Sequence, residues 1–138
     1  ELARLMNGCN RGVLLYTGGF PSPAFLLAYR ALVRDLPDRT TFWHWGDVDR
    51  GGLRIAKTVA DTLQKEGREL RPWRMNPDEL PREFIYSRDL DGVMEEMVGT
   101  ATDIGWFDLA DGLKRMPCTV EQEALSPELP AGFCDMGE

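Results

Sequence analysis

Two aspartates, Asp47 and Asp49, stand two residues apart after the aromatic run Thr41-Phe42-Trp43-His44-Trp45, and Gly51-Gly52 follows at once. If the backbone stays extended there, the i, i+2 spacing turns both carboxylates to one side, roughly 6–7 Å apart along the chain. Such a pair suits a divalent cation. Magnesium takes few protein carboxylates and keeps waters and phosphate oxygens as its other ligands, so the pair fits phosphoryl chemistry better than calcium storage. Gly51 and Gly52 allow a close backbone approach and open a helix whose N-terminus favours anions. The plain alternative is that D-x-D is common by chance and that acids ahead of a helix only cap it. Context favours the metal: these acids end a run rich in tryptophan and phenylalanine and then turn through two glycines.

The elements that must hold this pair follow from the patterning. Val13-Leu14-Leu15-Tyr16-Thr17, closed by Gly18-Gly19, reads as a first buried strand. Ser22-Pro23 supplies a cap and a first-turn proline for a helix to about Arg34. Thr41 to Trp45 is the second strand, and Leu53, Ala56, Val59, Ala60 and Leu63 recur at helical spacing until Gly67 stops them. Leu70 to Met75 is a third strand in which Pro72 suits an edge. Asn76-Pro77 repeats the cap-then-proline signal with acids in the first turn. Two more helices follow, one through Leu90, Val93, Met94 and Met97 and one through Phe107, Ala110, Leu113 and Met116. Thr119 to Leu125 reads as a short last strand. Alternating strands and helices predict an α/β fold with a mostly parallel sheet flanked by helices. The expected boundaries are one domain over residues 1–125 and an irregular tail over 126–138.

With 138 residues and 43% hydrophobic content, the chain is sized for one globular domain. It shows no apolar run long enough for a membrane span and no signal peptide, which predicts a cytoplasmic protein without a membrane partner. Cys9, Cys118 and Cys134 are scattered and read as reduced thiols, not a zinc site. The net charge of -7 counts against free-standing nucleic-acid binding, though clustered carboxylates are what a magnesium site needs. His44 falls on the strand face opposite Trp43 and Trp45, as a packed or partner-facing side chain and not a general base. Trp43, Trp45, Trp73 and Trp106 read as core, not as base-stacking groups. Arg50, Arg54 and Lys57 either meet phosphates or form a solvated helix face. Gly18-Gly19 lacks the G-x-G-x-x-G spacing and a Walker lysine.

The segment Trp45-Gly46-Asp47-Val48-Asp49-Arg50-Gly51-Gly52-Leu53-Arg54-Ile55 resembles W-G-D-x-D-x-x-G-hydrophobic in the Toprim-containing C-terminal domain of JetD-type proteins of the Wadjet plasmid-defence system. It is also similar to the D-x-D-P-x-G segment of the topoisomerase VI A subunit, with Arg50 in place of proline. Tyr16 to Ser22, Leu70-Arg71-Pro72 and Glu121-Gln122-Glu123 follow in the JetD-like order, so the likeness covers most of the chain.

The resemblance implies a Toprim-like fold and a magnesium-dependent DNA endonuclease, with manganese as a substitute ion. Asp47 and Asp49 would be catalytic and bind the metal, Glu121 or Glu123 would add a catalytic carboxylate, and Gly18, Gly19, Arg50, Gly51 and Gly52 would line the phosphate approach. Expected partners are DNA through the full-length protein, a second copy, and a loop-forming motor complex. Toprim sites also take a glutamate from a strand ahead of the helix in which this chain begins, so the first strand and its glutamate are expected to be missing and this stretch inactive alone. Two other classes compete. A phosphatase of the haloacid dehalogenase type also follows a strand with D-x-D, but on its opening strand and with threonine or valine where this chain has Gly51. A scaffold or partner-binding domain would leave the acidic loop merely solvated.

Overall fold

A computed structural model describes residues 2–7, 9, 12–86 and 92–133. Helix α1 spans Leu2–Leu5, α2 Pro23–Asp35, α3 Arg50–Gln64, α4 Val93–Asp103 and α5 Phe107–Arg115; strands are β1 Phe42–His44, β2 Leu70–Pro72, β3 Ile85–Tyr86 and β4 Thr119–Val120. The fold is α/β. β1 pairs in parallel with β2, Phe42 opposite Leu70 and Trp43 opposite Arg71, while β3 pairs antiparallel with β4. No helix among the described residues is long and apolar enough to cross a membrane.

Local chemistry explains the helix ends. Ser22 Oγ accepts from Phe25 N–H at 3.1 Å, with Pro23 in the first turn of α2. α3 unwinds at Gly67, whose φ of 68° lets Arg68 N–H reach back to the Leu63 carbonyl at 3.0 Å. Arg68 then ties α2 to this turn by donating to the carbonyls of Leu36, Pro37 and Asp38. The apolar stripes of α3, α4 and α5 meet in one core, where Leu53, Leu63, Met97, Leu109 and Leu113 are fully buried. Each such side chain contributes about 1.5–3 kcal/mol relative to exposure. Trp106, between α4 and α5, donates its indole N–H to the Leu70 carbonyl at 2.7 Å and so pins the helical layer to β2.

Three expectations are corrected. The run Val13 to Thr17 forms no strand: Val13, Leu14, Leu15 and Tyr16 are all exposed, Tyr16 to 89%. A strand needs a ladder partner and at least one covered face, and no described element supplies either. The late strand stops at Val120, pairs antiparallel, and gives way to a 3-10 turn over Gln122–Ala124. Among the described residues the strands form two small pairs, one parallel and one antiparallel. Third, Trp43 is not core. It is 38% exposed and stacks edge-on against Trp73, with ring centroids 5.7 Å apart. Elsewhere β2 stops at Pro72, short of the expected Met75, β3 is a strand that the patterning does not show, and Asn76-Pro77 opens a 3-10 turn over Pro77–Glu79. Leu90 and Cys134 lie outside the described residues. Residues 126–133 carry no helix or strand and are held down: Trp73 donates its indole N–H to the Glu128 carbonyl at 2.8 Å.

Candidate metal centre

The acidic loop joins β1 to α3, and each of its two aspartates has a fixed backbone partner. Asp49 is the N-cap of α3, its Oδ1 accepting from Gly52 N–H at 2.6 Å. Asp47 Oδ1 accepts from Gln122 N–H at 2.7 Å, across 75 residues of sequence. Between them, Val48 is buried and exchanges both backbone hydrogen bonds with Val120, at 2.8 and 3.1 Å. This isolated antiparallel bridge is what brings the late segment to the loop.

Its register has a chemical consequence. With Val48 opposite Val120, Asp47 falls opposite Glu121, and both stand on the side away from the buried valines. Opposed residues in such a pair have Cβ atoms roughly 4.5–5.5 Å apart, a spacing at which like charges destabilise each other. Asp47 and Glu121 are both exposed, and one oxygen of Asp47 is already taken by Gln122. A cation is the natural relief for two carboxylates so arranged.

Gly52 lets the loop close. A Cβ there would sit 2.1 Å from the Asp47 carbonyl oxygen, so only glycine admits this approach. At Gly51 the nearest atom to a Cβ would be Asp49 Oδ1 at 3.5 Å, an ordinary contact.

The remaining expected site residues are less concentrated. Glu123 is exposed in the 3-10 turn after β4. Gly18 and Gly19 turn with φ of 64° and 110° in an exposed loop that no described hydrogen bond joins to the acids. Arg50 lies 4.0 Å from Glu96 on α4, Arg54 donates to the same carboxylate at 2.8 Å, and Lys57 pairs with Asp61 at 3.2 Å. These cations are engaged with helix-face acids, which favours the solvated-face reading over phosphate contact.

The donor set decides which metals fit. Among the described residues no three His, Cys, Asp or Glu side chains gather closely enough to hold an ion. One or two carboxylates with waters and substrate oxygens is the magnesium pattern, and Asp47 with Asp49 or Glu121 matches it. Cys118 is buried, and burial pushes its thiol up to about 11. His44 is packed near Trp106, with ring centroids 6.0 Å apart, and burial pulls it down to about 4. That position agrees with a packed histidine. Glu121 is the residue that spacing alone does not single out, because its link to Asp47 is made by pairing between distant segments.

Residues 2–132 match a family model described as "Protein of unknown function C-terminus (DUF2399)". No curated protein and no solved structure matches the chain.

Proposed function

We propose, from the premise that this chain belongs to the DUF2399 C-terminal family, that it is the Toprim-type, magnesium-dependent DNA-cleaving domain of a JetD-like plasmid-defence protein. One observation carries the reading: the Val48–Val120 bridge sets Asp47 opposite Glu121, so acids from two distant segments meet at the loop that also carries Asp49. The likeness of Trp45 to Ile55 to the JetD-type segment supplies the reaction class.

In this reading Asp47 and Asp49 hold the ion through the oxygens not committed to Gln122 and Gly52. A magnesium ion held by these residues would supply polarisation of a scissile phosphate and stabilisation of the leaving oxygen. The two backbone N–H donors keep the carboxylates oriented, so little rearrangement accompanies binding. Glu121, exposed and opposite Asp47, would serve as a proton acceptor for an attacking water. DNA, a second copy and a motor complex remain the proposed partners.

The test is nicking of supercoiled plasmid by the full-length protein with Mg2+ or Mn2+, comparing it with Asp47→Asn and Asp49→Asn. Asparagine keeps an oxygen for Gln122 or Gly52 while removing the charge, so both variants should fold normally and lose cleavage to background. Equal cleavage by all three proteins would sink the proposal. Beryllofluoride labelling of Asp47 would favour the phosphatase. That alternative gains one point, because β1 is the first strand among the described residues, but Gly51 still stands where that fold has threonine or valine.

A further inference from the structure

The outer face of the β1–β2 pair is built differently from its inner face. Strand alternation sends Phe42 and Leu70 into the core and leaves Trp43 and Arg71 outside, directly opposite each other in the register. Trp73 extends the same face one step further, its N–H bonded to the His44 carbonyl at 2.8 Å. The Arg71 guanidinium lies 5.9 Å from the centre of the Trp43 ring, and Trp73 meets that ring edge-on. Trp73 is locked by its bond to Glu128, so the platform has one fixed wall and one open ring. An indole 38% exposed inside a paired strand has a face available for stacking, which a core tryptophan lacks.

A cleft of about 240 Å³ adjoins this face at the start of both strands, lined among others by Asp38, Arg39, Thr41, Arg68, Glu69 and Arg71. Arg68 is committed to backbone carbonyls and Asp38. Arg39 and Arg71, by contrast, have no acidic partner within salt-bridge distance among the described residues. Three arginines against two acids leave a local positive surplus on a chain of net charge -7. The cleft is smaller than the roughly 300–1,000 Å³ of a closed ligand pocket, so its occupant must continue onto the open face.

We propose that Trp43, Arg71 and Trp73 form a stacking platform for an unpaired nucleobase, with Arg39 and Arg71 receiving the adjoining phosphate. Aromatic rings beside arginines hold single strands in this way, because every base offers a π-face and every nucleotide a negative charge. The platform shares no residue with the acidic loop and needs no metal. It thus stands or falls independently of the cleavage reading.

Anisotropy of labelled single-stranded DNA and RNA 12-mers, titrated with the protein in EDTA at about 50 mM salt, tests it. Both strands, or either one, should bind, and the matching duplex should bind at least about tenfold more weakly. Trp43→Leu should weaken single-strand binding about tenfold, in line with the loss of one stacked base. Arg71→Gln should weaken it severalfold and flatten the salt dependence by about one phosphate contact. Arg39 and Arg71 are exposed, so their glutamine variants keep the test intact even if Trp43→Leu fails to fold. Absent binding, equal affinity for duplex, or unchanged affinity in folded Trp43→Leu or in Arg71→Gln would overturn the platform.

Discussion

His44 is the only histidine in the chain, so its titration gives a single unambiguous proton signal. Its Nε2 and the neighbouring Trp45 Nε1 are both buried without a hydrogen-bond partner among the described residues. Burial disfavours the charged imidazolium and pulls the folded group to about 4, against an ordinary 6.5. The unfolded chain therefore binds the proton first. The stability tied to neutral His44 is complete above pH 6.5, drains as pH falls toward 4, and is spent below that. That gap corresponds to a loss on the order of 3 kcal/mol. Chemical-shift titration should find His44 unprotonated at pH 5.5, and His44→Phe should flatten the stability profile between pH 6.5 and 4; a midpoint near 6.5 would contradict the burial argument. Strand alternation alone separated His44 from Trp43. It did not separate Trp43 from the core, because an exposed and a buried tryptophan read alike until the opposite layer is known.

At the scale of elements, Gly51 and Gly52 give a paired prediction with opposite signs. Alanine is favoured over glycine inside a helix by up to about 1 kcal/mol, and at Gly51 nothing opposes that gain. Gly51→Ala should stabilise by a few tenths to about 1 kcal/mol in urea titration. At Gly52 the Cβ would meet the Asp47 carbonyl, and overpacking of this kind costs about 1–3 kcal/mol, which outweighs helix propensity. Equal effects at the two positions would mean that the loop gives way freely. Features set by neighbouring residues were legible in the sequence: the Ser22-Pro23 start, the Asp49 position ahead of α3, the Gly67 stop and the proline at the edge of β2. Features set by distant pairing were not. β4 runs antiparallel because it answers to β3 and Val48, and Glu121 joins the candidate site only through that pairing.

For the molecule as a whole, the uneven distribution of exposed apolar surface stands out. Leu5, Val13, Leu14, Leu15, Tyr16, Phe20 and Leu27 are exposed, all within the first 27 residues, whereas Trp43, Tyr86 and Phe107 are the other large exposed hydrophobics among the described residues. Val13, Leu14, Leu15 and Tyr16 are exposed in succession, and no described backbone hydrogen bond engages them. Such a stretch, rich in β-forming residues and free of charge, can template pairing with a like stretch. The colloidal behaviour of the chain should therefore be governed by a few residues far in sequence from its acids. Its sedimentation coefficient should rise with concentration, and Leu14→Lys with Tyr16→Lys should hold it monomeric over the same range; identical sedimentation of the two proteins would refute this. Net repulsion from a charge of -7 acts over about 10 Å at 0.1 M salt, so added salt should promote the association by screening it. Low ionic strength then becomes the condition that keeps one short, sticky ribbon apart from its copies.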